Sequence, residues 1–240
     1  MNGPPHILVV EDESDIAVLL QRYLSTQGYR VSVAEGGAAM RRVLAQSDVD
    51  LVLLDLGLPD EDGLALMRSL RERSSVAVIV VTGRGEQVDR IVGLEVGADD
   101  YITKPFDLRE VGARVRSVLR RTLEAKQKAM AGGDSKVVRF AGWTLDLGAR
   151  RLDSPVGVPV DLTTGEFELL AAFVRLPGRV LSRDELLEAT HGREAGPFDR
   201  TIDVQVGRLR RKIEADPQAP ELIKSVRGAG YVFTCKVDRT

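Results

Sequence analysis

The chain has 240 residues, 34 Lys+Arg against 36 Asp+Glu for a formal net charge of −2, and 43 % hydrophobic residues. This length is comfortable for two domains, and the composition excludes a disordered or fibrous chain. The longest apolar run, Val76–Val81, is far below the roughly 20 residues that span a bilayer; the start MNGPPHILVVEDE has no secretory pattern, and one cysteine with two scattered histidines excludes both an internal disulfide and a conventional zinc site.

Those features predict a cytoplasmic protein without a membrane segment. From the amino end, short β-rich runs alternate with amphipathic stretches. Strands are predicted at Ile7–Val10, Arg30–Ala34, Leu51–Leu54, Val76–Val81 and Tyr101–Thr103. Three are nearly continuous Val, Ile and Leu, as parallel strands covered on both faces are. Ile16, Leu19, Leu20, Tyr23 and Leu24 mark one intervening helical period. Five such units imply a five-stranded doubly wound parallel sheet over residues 1–122, of strand order 2-1-3-4-5, with its sites at the carboxyl ends of the strands.

Residues 123–136, LEAKQKAMAGGDSK, lose the apolar period and carry Gly132 and Gly133, which reads as a linker able to continue the preceding helix for a turn or two. Beyond it, residues 137–162 have frequent turn residues and alternating apolar positions, a pattern of short antiparallel strands. Thr163 or Thr164 caps a helix running through Phe167–Val174, and Ser182 with Glu185 at capping-box spacing opens a second. A third helix is predicted near Arg200–Ala215, then a hairpin, IKSVRGAGYVFT, around Gly228 and Gly230. Residues 137–240 thus read as a winged helix-turn-helix domain.

The near-neutral total hides a difference between halves: residues 1–122 carry 15 basic and 19 acidic residues, residues 137–240 carry 16 and 15. Neither half has the strongly basic balance that announces nucleic-acid binding, so the placement of charges must decide.

In the first half, Glu11 and Asp12 follow the first strand and Asp55 the third, Thr82 ends the fourth and Lys104-Pro105 ends the fifth. Singly, each reads as a turn, cap or loop residue. In the predicted strand order the first and third strands are neighbours, so their carboxylates converge into a set of hard oxygen ligands suited to a divalent cation. A carboxylate cluster, a hydroxyl and an ammonium at successive strand ends suit phosphoryl chemistry, with one carboxylate as nucleophile.

The phrases VVEDE, LLDLGLPDEDGL, VTGRGE and GADDYITKPFDLREV resemble the receiver domains of two-component response regulators across almost all of residues 5–122. The resemblance implies that Asp55 accepts the phosphoryl group. Glu11, Asp12 and Asp55, helped by the Gly57 carbonyl, would hold Mg²⁺. Lys104 would pair with the phosphoryl group before a cis Pro105, and Thr82 and Tyr101 would form the switch pair. Gly57 and Gly83 depart from the commonest residues at their positions, and Gly83 with Gly85 makes the loop after the fourth strand permissive. A small Mg²⁺-dependent phosphatase is the rival reading. The dehalogenase-like kind wants a second Asp two residues after the first, where Gly57 stands.

On a helical wheel of RTIDVQVGRLRRKI, residues 200–213, Ile202, Val206, Leu209 and Ile213 form a buried stripe. The opposite side carries Arg200, Val204, Arg208 and Arg211, a mixture suited to guanine edges and thymine methyls; the plainer reading is a solvated basic face. Arg227, at the hairpin tip, suits a narrow minor groove. DRTIDVQVGRLRRKIEADP and IKSVRGAGYVF resemble the effector domain of the OmpR/PhoB family. By that resemblance Arg208 and Val204 meet bases, Arg200, Thr201 and Arg210 mainly meet phosphate, Arg211 lies on the same face, Arg227 belongs to the wing, and Gly207 replaces a commoner polar residue. The loop THGREAGPFD stands where relatives touch RNA polymerase. The family also implies a partner histidine kinase, promoter DNA, slow autodephosphorylation rather than enzymatic turnover, and homodimerisation on phosphorylation. The dimer face would comprise Ile91, Leu94 and Ala113 with the intersubunit pairs Arg90–Glu110, Asp100–Arg114 and Glu95–Arg116.

Overall fold

His6–Val10 forms β1, and all five of its residues are buried. The computed structural model describes residues 3–83, 96–130, 137–191 and 201–239, divided between two units, Met1–Arg120 and Arg121–Thr240. In the first unit β1 is followed by α1 (Ser14–Thr26), β2 (Arg30–Ala34), α2 (Gly37–Gln46), β3 (Leu51–Asp55), α3 (Gly63–Arg71), β4 (Ala77–Thr82) and β5 (Asp100–Thr103). The strands pair in parallel in the order β2-β1-β3-β4-β5, as the strand pattern predicts. Uninterrupted apolar sequence explains the full burial of β1, β3 and β4, because both faces are removed from water. On α1, Ala17, Leu20 and Leu24 are buried, whereas Leu19, expected on the same stripe, is 47 % exposed.

The register places the chemistry. Val10 stands opposite Leu54, so Glu11 and Asp55 come next on adjacent strands; Asp55 stands opposite Val81, and Thr82 opposite Thr103. Four functional positions therefore meet at one carboxyl edge.

Helix α4 runs from Leu108 to Met130 and occupies much of the segment predicted as linker; residues 131–136 lie outside the described residues. In the second unit, β6 (Val137–Phe140), β7 (Trp143–Asp146), β8 (Arg151–Asp153) and β9 (Pro159–Val160) form an antiparallel sheet, joined at its far edge by β13 (Asp238–Arg239). The β6–β7 turn sets Ala141 and Gly142 at φ 44° and 83°, the paired positive values that match the twist of a tight hairpin. Helix α5 (Thr164–Arg175) is capped by Thr163 through a reciprocal box with Glu166. Helices α6 (Arg183–His191) and α7 (Thr201–Ile213) follow, with β10 (Val180–Leu181) between α5 and α6, and then the wing strands β11 (Ile223–Val226) and β12 (Gly230–Phe233). Gly230 is required there: a Cβ at its φ of 136° would lie 2.0 Å from the Leu181 carbonyl oxygen.

The stripe Ile202, Val206, Leu209 and Ile213 is buried in one core with Phe140, Phe173 and Phe233. Within α7, a Cβ on Gly207 would meet nothing within 4 Å. Gly207→Ala is therefore expected to stabilise the second unit by about 0.5–1 kcal/mol through helix propensity alone. Denaturant melts of the full chain read this, and a loss of stability would show that Gly207 answers to something other than space.

Candidate functional site

At the carboxyl edge of the first unit's sheet, Glu11 and Asp55 are almost fully buried and Asp12 is half-buried. One carboxylate oxygen from each lies within 4.8 Å of the others. Two buried like charges need a compensating cation, and Lys104 supplies it. Its Nζ donates to Asp55 Oδ2 at 2.7 Å, to the Glu11 carboxylate at 2.9 Å and to Glu13 Oε1 at 3.4 Å. A cis Lys104–Pro105 bond follows β5, as the resemblance implies. Burial alone would lower the lysine's pKa, but its hydrogen bonds to Asp55 and Glu11, with the charges of both carboxylates, outweigh it and hold the ammonium charged well above its ordinary range. Burial pushes the Glu11 carboxyl up, against the pull of Lys104. Asp55 Oδ1 accepts from the Gly57 amide at 2.9 Å, which orients the carboxylate from its own loop. Glu13 is the member that sequence reasoning missed; its signal was the third acid in EDE.

Thr82, fully buried, ends β4, and its carbonyl accepts from the Lys104 amide at 2.7 Å. Tyr101 lies half-buried on β5, beneath the guanidinium of Arg114 at 5.8 Å from the ring centroid. Arg114 also donates to both Asp100 oxygens at 3.0 Å and to Glu110 at 2.6 Å. The pairing of Asp100 with Arg114, expected between subunits, is here made within one chain. The reason is local: β5 and α4 set both residues side by side, and burying Asp100 demands a cation. Ala113 and Arg116 are exposed, whereas Arg90, Ile91, Leu94 and Glu95 lie outside the described residues.

In the second unit the expectation for α7 needs correction. Arg208, expected to point into a groove, is 7 % exposed, and Val204 is 9 % exposed. Arg208 Nη2 lies 2.8 Å from Oε1 of Glu166, a fully buried carboxylate at the start of α5. Lys212 donates to the other oxygen, Oε2, at 2.7 Å, and Oε2 also accepts from the Thr163 amide at 2.8 Å. A wheel drawn for one helix cannot register this carboxylate, which draws Arg208 sideways onto the flank of Thr201, Gln205 and Lys212. Burial alone would raise the Glu166 pKa; Arg208 and Lys212 outweigh it and hold the carboxyl below its ordinary value. Thr201, expected at phosphate, is fully buried.

Arg210, also expected at phosphate, donates to the Ile223 carbonyl at 2.7 Å and to Ser225 Oγ at 3.0 Å, which ties α7 to the wing. Beside it, Tyr231 donates to Asp203 at 2.6 Å, and Arg183 donates to the same carboxylate at 2.8 Å. Burial and that hydrogen bond push the Tyr231 hydroxyl up to about 12. Arg183, at the exposed start of α6, was not singled out in the sequence. Arg211 and Arg227 are exposed as expected, and Arg200 lies outside the described residues, as do residues 192–199 of the loop between α6 and α7.

Residues 7–116 match the family "Response regulator receiver domain", and residues 157–233 match "Transcriptional regulatory protein, C terminal". The chain is similar to the transcriptional regulatory protein AruR of Pseudomonas aeruginosa, 48 % identical over 236 residues and 96 % of each chain. It is 45 % identical to the TorCAD operon transcriptional regulatory protein TorR of Escherichia coli K12, over 98 % of this chain and 99 % of TorR. It is 43 % identical to the aerobic respiration control protein ArcA of the same strain, over 95 % of this chain and 96 % of ArcA. A solved structure of a RitR mutant matches with a TM-score of 0.74 at 25 % identity, over 96 % of this chain and 99 % of that one. No helix among the described residues is long and apolar enough to cross a membrane. With a receiver sheet carrying an acidic cluster, a winged helix-turn-helix following it in sequence, and relatives matched over nearly their whole length, the chain belongs to the OmpR/PhoB family of two-component response regulators that act in transcription.

Proposed function

We propose that Asp55 accepts a phosphoryl group from a partner histidine kinase, and that the phosphorylated chain dimerises and binds promoter DNA. The observation that carries this reading is the contact of Lys104 Nζ with both Asp55 and Glu11 beside a three-carboxylate cluster. Three hard oxygen donors fit Mg²⁺, which Glu11, Asp12 and Asp55 would hold with the Gly57 carbonyl. When bound, Mg²⁺ neutralises charge on the phosphoryl oxygens. Asp55 Oδ2 attacks the phosphorus of the kinase's phosphohistidine, forming the acyl phosphate as the P–N bond breaks and the imidazole leaves; the Gly57 amide keeps the carboxylate oriented, and the Lys104 ammonium moves from the carboxylate to the phosphoryl group. Thr82 then turns its hydroxyl toward the new charge and Tyr101 follows. That motion loosens the stack with Arg114 and favours dimerisation through residues 90–116, including Arg90, Ile91, Leu94, Glu95, Glu110, Ala113 and Arg116. Turnover stops at slow autodephosphorylation, so the chain acts as a switch in the cytoplasm rather than as an enzyme.

In the second unit α7 is the recognition helix. Arg211 and Arg227 are ready to meet DNA; Arg200 and Arg210 act at its backbone, Arg208 reaches base edges only on leaving Glu166, and the loop before α7 faces RNA polymerase. Full-length chain treated with acetyl phosphate and Mg²⁺ should gain one phosphoryl group, sediment as a dimer and enrich a consensus from a randomised duplex library. Chelation by EDTA should abolish the labelling. Arg227→Ala should weaken binding most on sites with A·T-rich flanks. Labelling that survives metal removal would defeat the carboxylate-cluster reading.

A further inference from the structure

Three charges from two helices meet at one point in the effector unit. Glu166 has no exposed surface, yet its carboxylate is held charged by Arg208 at 2.8 Å on Oε1 and by Lys212 at 2.7 Å on Oε2. No hydrogen-bond geometry accompanies the Oε1 contact, so attraction between the charges rather than a directed bond holds Arg208 there. Arg208 Nη2 also lies at the outer limit of a hydrogen bond to Thr163 Oγ1, at 3.5 Å, on the residue that caps α5. Lys212 is fixed twice, since the Asp161 carbonyl accepts from it at 2.7 Å as well. Of the two cations on the buried carboxylate, the one whose contact with it lacks a directed bond is thus the arginine that the groove-facing side of α7 was expected to present.

We infer that Glu166 is a positioning residue that withholds Arg208 from DNA, so that binding proceeds by exchange of Arg208 from the Glu166 carboxylate to a nucleic-acid acceptor. This rests on α7 being the recognition helix. Phosphates and guanine edges both offer acceptors to a guanidinium, and either can compete with a carboxylate oxygen that has no directed bond to it. Lys212 remains behind, so the buried carboxylate keeps one cation after the exchange and the burial of an unpaired charge is avoided. The contact therefore imposes a threshold: DNA that cannot repay the lost ion pair leaves Arg208 sheathed, and binding to arbitrary sequence is suppressed.

The test measures affinity and salt dependence of the full chain on a labelled duplex of mixed sequence, two helical turns long. Glu166→Gln keeps the reciprocal cap on α5, since Gln serves at that position, and removes only the charge. It should bind this duplex about tenfold more tightly near 0.1 M salt, with a salt slope steeper by about one, as one further phosphate contact requires. A purely structural role for Glu166 would not steepen the slope. Glu166→Asp, which keeps the charge on a shorter arm, should show a smaller gain in the same direction, and it decides the matter if the Gln variant does not fold. The gain should vanish in the Glu166→Gln, Arg208→Ala double variant. Weaker or unchanged binding in Glu166→Gln, or a gain that survives in the double variant, overturns the inference. Arg211→Ala separates the two levels: if it weakens binding while Glu166→Gln gives no gain, the withholding role alone fails. If neither substitution changes affinity or slope, α7 does not touch DNA, and the docking proposal fails with it.

Discussion

Asp55→Asn is expected to leave the full chain unlabelled after exposure to acetyl phosphate and Mg²⁺, a loss to background rather than a reduction. The amide keeps the size of the side chain but cannot serve as an anionic nucleophile. The fold should survive, because Asn removes one of two buried like charges while Lys104 still has Glu11 at 2.9 Å. Lys104→Ala provides the contrast. It leaves the carboxylate cluster that would hold the metal intact but removes the cation 2.7 Å from Asp55. Its labelling rate should fall on the order of 100-fold, the size of effect seen when one preorganised donor to a developing charge is removed. Phosphoryl transfer read by mass measurement distinguishes the two. Equal labelling of Asp55→Asn and wild type would place the acceptor elsewhere, and full-rate labelling of Lys104→Ala would make that lysine a structural counter-ion only.

The receiver site is legible in the sequence because it is made by topology. Once five apolar runs are read as parallel strands in the order 2-1-3-4-5, the residues following them must meet, and Asp55, Glu11, Thr82 and Lys104 do. What escaped were the interactions between elements that no periodicity records. Glu166 announced itself only as the third residue of a capping box, and its partners on α7 lie far along the chain. The α7 wheel placed Ile202, Val206, Leu209 and Ile213 correctly in the core because burying them needs only the helix itself to be amphipathic. It misplaced Arg208 because a long side chain goes where an unmet charge is, and the wheel contains none. The linker was read as able to continue the preceding helix for a turn or two, and α4 does so to Met130. Glu124 to Met130 lack an apolar stripe but are nearly all strong helix formers, so α4 continues there on propensity rather than on an apolar face. Two-residue β13 carries no pattern at all; it pairs with β6 through Asp238 opposite Arg139.

Phe233→Ala should collapse the effector and spare the receiver. Phe233 is fully buried, edge-to-face on Phe140 with centroids 5.2 Å apart and stacked on Phe173 at 6.4 Å, so one ring joins β6, α5 and the wing. Its removal should cost about 3–5 kcal/mol, from lost transfer energy and the cavity left behind. Against a typical domain stability of about 5–15 kcal/mol, that loss leaves a marginal fold. The wing suffers first in the functional sense. Ile223, whose carbonyl holds Arg210, is the cross-strand partner of Phe233, so the tie between α7 and the hairpin depends on the same ring. DNA binding should therefore fall with the folded fraction of the effector. Phosphoryl labelling of Asp55 should be untouched, because among the described residues the cluster around Phe233 runs from Val138 to Val237 and draws on no receiver side chain. Phe233→Leu, which restores most of the volume, should lose the ring contacts worth about 0.5–1.5 kcal/mol and retain binding. Melts of the full chain followed alongside labelling decide this. Two transitions, of which only one moves, are expected; a single transition shifted as a whole, with labelling lost in step, would mean that the two units fold as one.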